Sequence, residues 1–150
     1  MPSPEPSQPP RAPRFELAPR HRRVLRAFGE ALFAHAGGPS DAQLDRLVER
    51  MRGHLEPVSK MQRTMLLLAL ELVRWLPLLL LVSWRTFDDL PLAARERLLD
   101  RMDRSRVPLL LLPLIAFKTV LCMHFFEDPV ELRALGYPGD ERKRWLTIAP

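Results

Sequence analysis

Apolar residues recur at every third or fourth position along most of this chain, and no run of them alternates with a period of two. That spacing gathers them on one side of an α-helix. The expected fold is therefore all-α, a compact bundle of five to six helices. Val24, Leu25, Phe28, Leu32 and Phe33 share a face of a first helix, predicted from about Pro19 to Ala36 and stopped by Gly37-Gly38-Pro39. Ser40 or Asp41 can cap a second helix carrying Leu44, Leu47, Val48 and Met51, which Gly53 and then Pro57 are expected to break. A third helix, from about Pro57 to Trp84, carries Met61, Met65, Leu68, Leu72, Trp75 and Leu79 as one stripe. Pro77 inside it removes a backbone hydrogen bond and should kink it.

Asp88-Asp89-Leu90-Pro91 opens a fourth helix, with proline expected in the first turn, where its missing N–H costs nothing. Leu92, Leu98, Leu99 and Met102 are expected to face inward, and Arg95, Arg97, Arg101 and Arg104 outward, with Asp100 placed to pair with Arg104. A fifth helix starts near Val107-Pro108 and stays apolar almost all round to Phe126. Asp128-Pro129 begins a short sixth helix, which Gly136 can end in the left-handed conformation. The segmentation is a disordered Pro/Arg-rich leader over 1–16, a helical bundle over 17–139 and a basic tail over 140–150.

Two segments, 64–84 and 107–126, approach the length and apolarity of a membrane span. The first holds Glu71, Arg74 and Pro77, and a charge near a span's centre costs about 2.5–3.5 kcal/mol. The second has Lys118 as its only full charge but carries Pro108 and Pro113 in its first half. The plain expectation for it is a buried core helix; the alternative is a helix packed on a partner protein or a membrane.

Composition narrows the function without naming it. Apolar residues make up 47% and charged residues 27% of 150, which suits one globular domain. Seven of the 16 prolines fall within the first 19 residues, where too little apolar surface exists to fold. The formal charge of +5 comes from arginine, because Lys60, Lys118 and Lys143 are the only lysines. Those arginines are dispersed and interleaved with acids, a weak footprint for nucleic acid, so an arginine-rich nucleic-acid adaptor is the least favoured reading. His21-Arg22-Arg23 followed by Ala34-His35-Ala36 resembles a cleavable signal, but Arg26 and Glu30 interrupt the apolar segment such a signal needs. The expected location is the cytoplasm, with peripheral contact to the inner membrane as the alternative.

Candidate chemistry is sparse. Cys122 is the only cysteine, so no intrachain disulfide or cysteine metal cage is available; in its apolar run it reads as a small buried hydrophobe. His21, His35, His54 and His124 stand at no ligand spacing. No glycine-rich phosphate loop is present, and Ser83 and Ser105 lack the context of a nucleophile. The expectation is a chain with no catalytic, cofactor-binding or metal-binding residues. Lys118 has Leu114, Ile115, Leu121 and Cys122 one turn away. Either its stem snorkels to the bundle edge, or its ammonium pairs with a carboxylate such as Asp88, Asp89 or one on a partner.

The succession Leu90-Pro91, Arg95-Glu96-Arg97-Leu98-Leu99, Ser105-Arg106-Val107-Pro108-Leu109, Phe117-Lys118, Phe125-Phe126, Asp128-Pro129 and Leu135-Gly136-Tyr137 resembles the small helical module that accompanies glucose–methanol–choline (GMC) flavoprotein oxidoreductases. Long-chain fatty alcohol oxidases carry such a module as an N-terminal extension, and the small subunit of gluconate dehydrogenase is loosely similar. The resemblance covers about residues 17–139 and is densest over 85–139. It departs in the absence of the flavin domain and in Pro138-Gly139-Asp140, where the family ends in a glycine-proline-tryptophan-like element. It implies a non-catalytic accessory subunit, with flavin adenine dinucleotide (FAD) held by a separately encoded alcohol or sterol dehydrogenase. It also implies partner-binding residues at Ser105, Arg106, Pro108, Phe117, Lys118, Phe125, Phe126, Asp128, Pro129, Gly136 and Tyr137, and apolar faces that shape entry of a lipophilic substrate.

Overall fold

The computed structural model describes residues 15–127 and 129–134, without the side chains of residues 36, 131 and 134. They form six α-helices: α1 (Pro19–Leu32), α2 (Asp41–Leu55), α3 (Lys60–Leu79), α4 (Leu92–Asp103), α5 (Pro108–Phe126) and α6 (Pro129–Ala134), with short 3-10 turns at His35–Gly37 and Phe87–Asp89. No strand occurs among the described residues, so the all-α bundle is the fold. Most of the proline-rich leader, Leu135, Gly136, Tyr137 and the basic tail lie outside them.

Local chemistry sets the boundaries. Pro19 occupies the first position of α1, and the turn after that helix needs glycine, because Gly37 and Gly38 stand at φ +94° and +74°. Helices α2 and α3 both begin with a capping box, Ser40 with Gln43 and Ser59 with Gln62. Arg63 holds the end of α2, donating to the carbonyls of Leu55 (2.9 Å) and Glu56 (2.7 Å).

Helix α1 lies at the centre, packed against α2, α3 and α4. Its Phe28 ring meets those of Phe87 and Phe117, each at 6.0 Å between centroids, and Val24 and Leu25 fill the space around them. Gly29 lets α2 approach closely, since a Cβ there would sit 2.9 Å from Leu47 Cδ2. Leu70, Val73 and Leu76 of α3, Leu98 and Met102 of α4, and Leu114 and Leu121 of α5 complete the core. A polar layer ties α1 to α3 and to the turn before α4. Glu71 meets Arg20 at 2.8 Å and His21 at 2.9 Å, while the buried Asp88 carboxylate lies near Arg23 and Arg74.

Several expectations are corrected. Gly53 does not break α2; one glycine costs about 1 kcal/mol in a helix, which burial of Met51 and Leu55 on either side offsets. Helix α3 is shorter than 57–84, and it ends two residues after Pro77, which stands in its last turn. Pro91 caps α4 from outside its first turn. Leu92 is exposed, and Arg95 is buried at 8% exposure. Arg95 donates to the carbonyls of Leu90 (2.9 Å) and Ala27 (3.0 Å) and to the Glu30 carboxylate (2.7 Å). Its spacing from Leu98, Leu99 and Met102 puts it at the centre of the inward face, and those acceptors explain why a cation sits there.

Candidate docking surface

Helix α5 is not the buried core helix its composition suggests. It is long and apolar enough to cross a membrane, yet only 22% of that apolar stretch is buried. Pro113, Leu114, Phe117 and Leu121 face the bundle. The opposite side presents Leu112, Ile115, Met123 and Phe126 to solvent and carries no charge. Lys118 lies on the flank toward α4, where its ammonium stands 3.7 Å from Asp103 with half of each side chain exposed. A carboxylate does partner it, but the partner is Asp103 rather than Asp88 or Asp89, and the pair is solvated.

Helix α3 repeats the arrangement. Met61, Met65, Leu68, Trp75 and Leu79, five of the six residues in its sequence stripe, are exposed, and the sixth, Leu72, is half-buried. The stripe is about 27 Å long at 1.5 Å per residue. The core side of α3 is a second apolar row, Leu70, Val73, Leu76 and Pro77. Glu71 and Arg74 stand between the two rows, held by the polar layer against α1. One helix thus carries two apolar faces, of which the bundle uses one. Apolar rows left open on two helices of one small domain are more than scattered exposure and make these faces the candidate docking surface.

The residues implied as partner-binding divide into groups. Phe117 is 1% exposed beside Phe28, so it belongs to the core and touches no partner directly. Phe125 is half-buried, stacked on Phe33 at 4.0 Å, and is mainly structural. Phe126 meets Phe33 and Phe125 edge-on and remains open on its other side. Arg106, Pro108 and Pro129 are exposed. The Ser105 hydroxyl accepts from the Val107 N–H at 3.1 Å, which shapes the entry to α5. Asp128, Gly136 and Tyr137 lie outside the described residues. The α3 stripe and Arg95 were not among the implied site residues.

Titratable groups near this surface are few. The His124 ring lies against that of His54, at 5.1 Å between centroids, with its Nε2 buried and unpartnered. Burial, and after it His54, hold the His124 imidazole below its ordinary range. Burial pushes the Cys122 thiol up, away from nucleophilic character. An open groove of about 430 Å³ between α1, α4 and α5 is lined by His35, Glu96, Asp100, Asp103 and Lys118. Among the described residues no group of three or more His, Cys, Asp or Glu is placed to hold a metal ion. No family model matches the chain, and neither a curated protein nor a solved structure matches it.

Proposed function

We propose that this chain is a non-catalytic helical accessory subunit that docks on a separately encoded flavin-dependent oxidoreductase of the GMC type. One observation carries the docking: only Pro113, Leu114, Phe117 and Leu121 of α5 are fully buried, while Leu109, Leu112, Ile115, Met123 and Phe126 stay exposed, and the uncovered side is uncharged. The open stripe of α3 supports the same reading. A hydrophobic face of this kind suits an obligate interface, which resembles a domain core divided between two chains. The sequence resemblance supplies the partner's identity, with FAD bound there and an alcohol or sterol as its substrate. A lipophilic substrate would reach that partner along apolar walls such as those of α3 and α5.

The test is affinity purification of the tagged full chain from its own cells at native expression level. The expected result is a stoichiometric co-purifying protein with flavin absorbance. The double variant Ile115→Glu/Met123→Glu, on the open side of α5, should lose it. A stoichiometric partner without flavin, or a chain that elutes alone with its α5 face intact, refutes the proposal.

A further inference from the structure

The turn that ends α3 is built against ordinary helix-ending chemistry. The Leu81 N–H donates to the Leu78 carbonyl at 3.0 Å and the Val82 N–H to the Pro77 carbonyl at 2.9 Å. Those two bonds define the Schellman motif, whose left-handed position is ordinarily glycine. Here it is Leu81, at φ 52°, the only described non-glycine residue with positive φ. A leucine in that conformation is strained, and burial gives nothing back, because Leu81 is 86% exposed. Trp84, three residues on, is 93% exposed. Packing explains neither residue.

The start of α5 comes to the same end of the bundle. Leu80 and Leu110 line one open groove with Val107, Arg101 and Arg104, and Val107 and Leu109 are exposed. This apolar tip carries unused positive charge. Among the described residues, no carboxylate pairs with the exposed Arg85, Arg101 or Arg106. The nearby acids have other partners: Asp100, which lines the same groove, pairs with Arg104 at 3.0 Å, Asp103 with Lys118, and Asp88 with Arg23 and Arg74, while Asp89 accepts from the Thr86 hydroxyl.

We infer that this tip is a membrane contact, in which Leu81, Val82 and Trp84 enter the interfacial layer of an anionic bilayer while Arg85, Arg101 and Arg106 bind lipid phosphates. Tryptophan is the side chain most at home at headgroup depth, and guanidinium groups match phosphate in geometry and charge. The shape favours lipid over a protein partner. Leu81 and Trp84 project on nearly all sides, and a fluid surface closes around projections that a protein would have to meet with matched recesses. The inference does not depend on the flavoprotein reading, although Arg106 is also among the residues implied there, because it can be tested on the chain alone.

The experiment is co-flotation of the purified full chain with vesicles of phosphatidylcholine alone and of equimolar phosphatidylcholine and phosphatidylglycerol. Binding should require the anionic lipid and fall with salt. Arg101→Gln and Arg106→Gln should each weaken it by about fivefold. Trp84→Ser should weaken it several-fold. Leu81→Gly is the sharper variant: it removes the backbone strain, so Tm should rise by about 2 °C while vesicle binding drops. Wild-type-like binding by Leu81→Gly and Trp84→Ser, equal binding to neutral vesicles, or no flotation at all each overturns the inference. In an Ile115→Glu/Met123→Glu background flotation should persist; its loss there assigns lipid binding to the α5 face and removes the tip.

Discussion

Replacing Arg95 with methionine, which keeps an apolar stem and deletes the guanidinium, should destabilise the bundle by about 3 kcal/mol. Three acceptors lose their donor: the Leu90 carbonyl, the Ala27 carbonyl and the Glu30 carboxylate. Hydrogen bonds from a charged donor contribute roughly 1.5–3 kcal/mol each, but here they do not add. Glu30, whose side chain is 41% exposed, regains water when its partner goes. Ala27 lies inside α1, where its carbonyl also belongs to the helical ladder. The roughly 3–5 kcal/mol that follows removal of one member of a fully buried pair is therefore a ceiling. The assay is urea unfolding followed by circular dichroism. With a slope of about 2 kcal/mol per molar, the midpoint should fall by about 1.5 M. Arg95→Lys keeps the charge without the planar fork that serves acceptors in different directions, so it should recover less than half of the loss. A midpoint change under about 0.5 M for Arg95→Met, or full recovery by lysine, would refute the clamp.

Lys118→Met should change stability by less than about 1 kcal/mol in the same assay, because its pair with Asp103 is half exposed; a loss above about 3 would mean a buried pair. His124 gives a pH dependence of defined sign. Its folded pKa lies below the unfolded value of 6.5, so its contribution is full above that value and declines as pH falls through and below it. The groups facing it are His54 and Arg50 on α2 and Glu127 at the end of its own helix. Unfolding free energy measured from pH 7 downward should fall more steeply for the native chain than for His124→Gln, and parallel curves would contradict this.

Helix positions were largely legible in the sequence because breakers and caps act locally. Gly37-Gly38, the Ser40 box and Pro108 each mark a boundary the structure keeps. What periodicity could not supply was direction. A stripe such as Met61 to Leu79 shows that a helix has an apolar face, not whether its own bundle covers that face. The usual guide, charges on the outer side, misleads in α3, because Glu71 turns toward α1 and Arg74 toward Asp88, both serving the polar layer. Arg95 failed for the related reason that residue type outweighed its position, although its spacing from Leu98 and Leu99 already pointed inward. Phe117 and Phe126, two and a half turns apart on one helix, show the same limit. Both belong to the resemblance, yet one fills the core and the other reaches solvent.

The proposed docking rests on the outer side of α5 being no part of the core. Unfolding of the isolated Ile115→Glu/Met123→Glu chain tests it without knowledge of the partner. Two carboxylates placed on an exposed helix face remain hydrated, so the chain should stay folded, become more soluble and change in stability by less than about 1 kcal/mol. If that face were core, each unpaired buried charge would cost several kcal/mol, and a chain that unfolds or loses more than about 4 kcal/mol would place that face in the core.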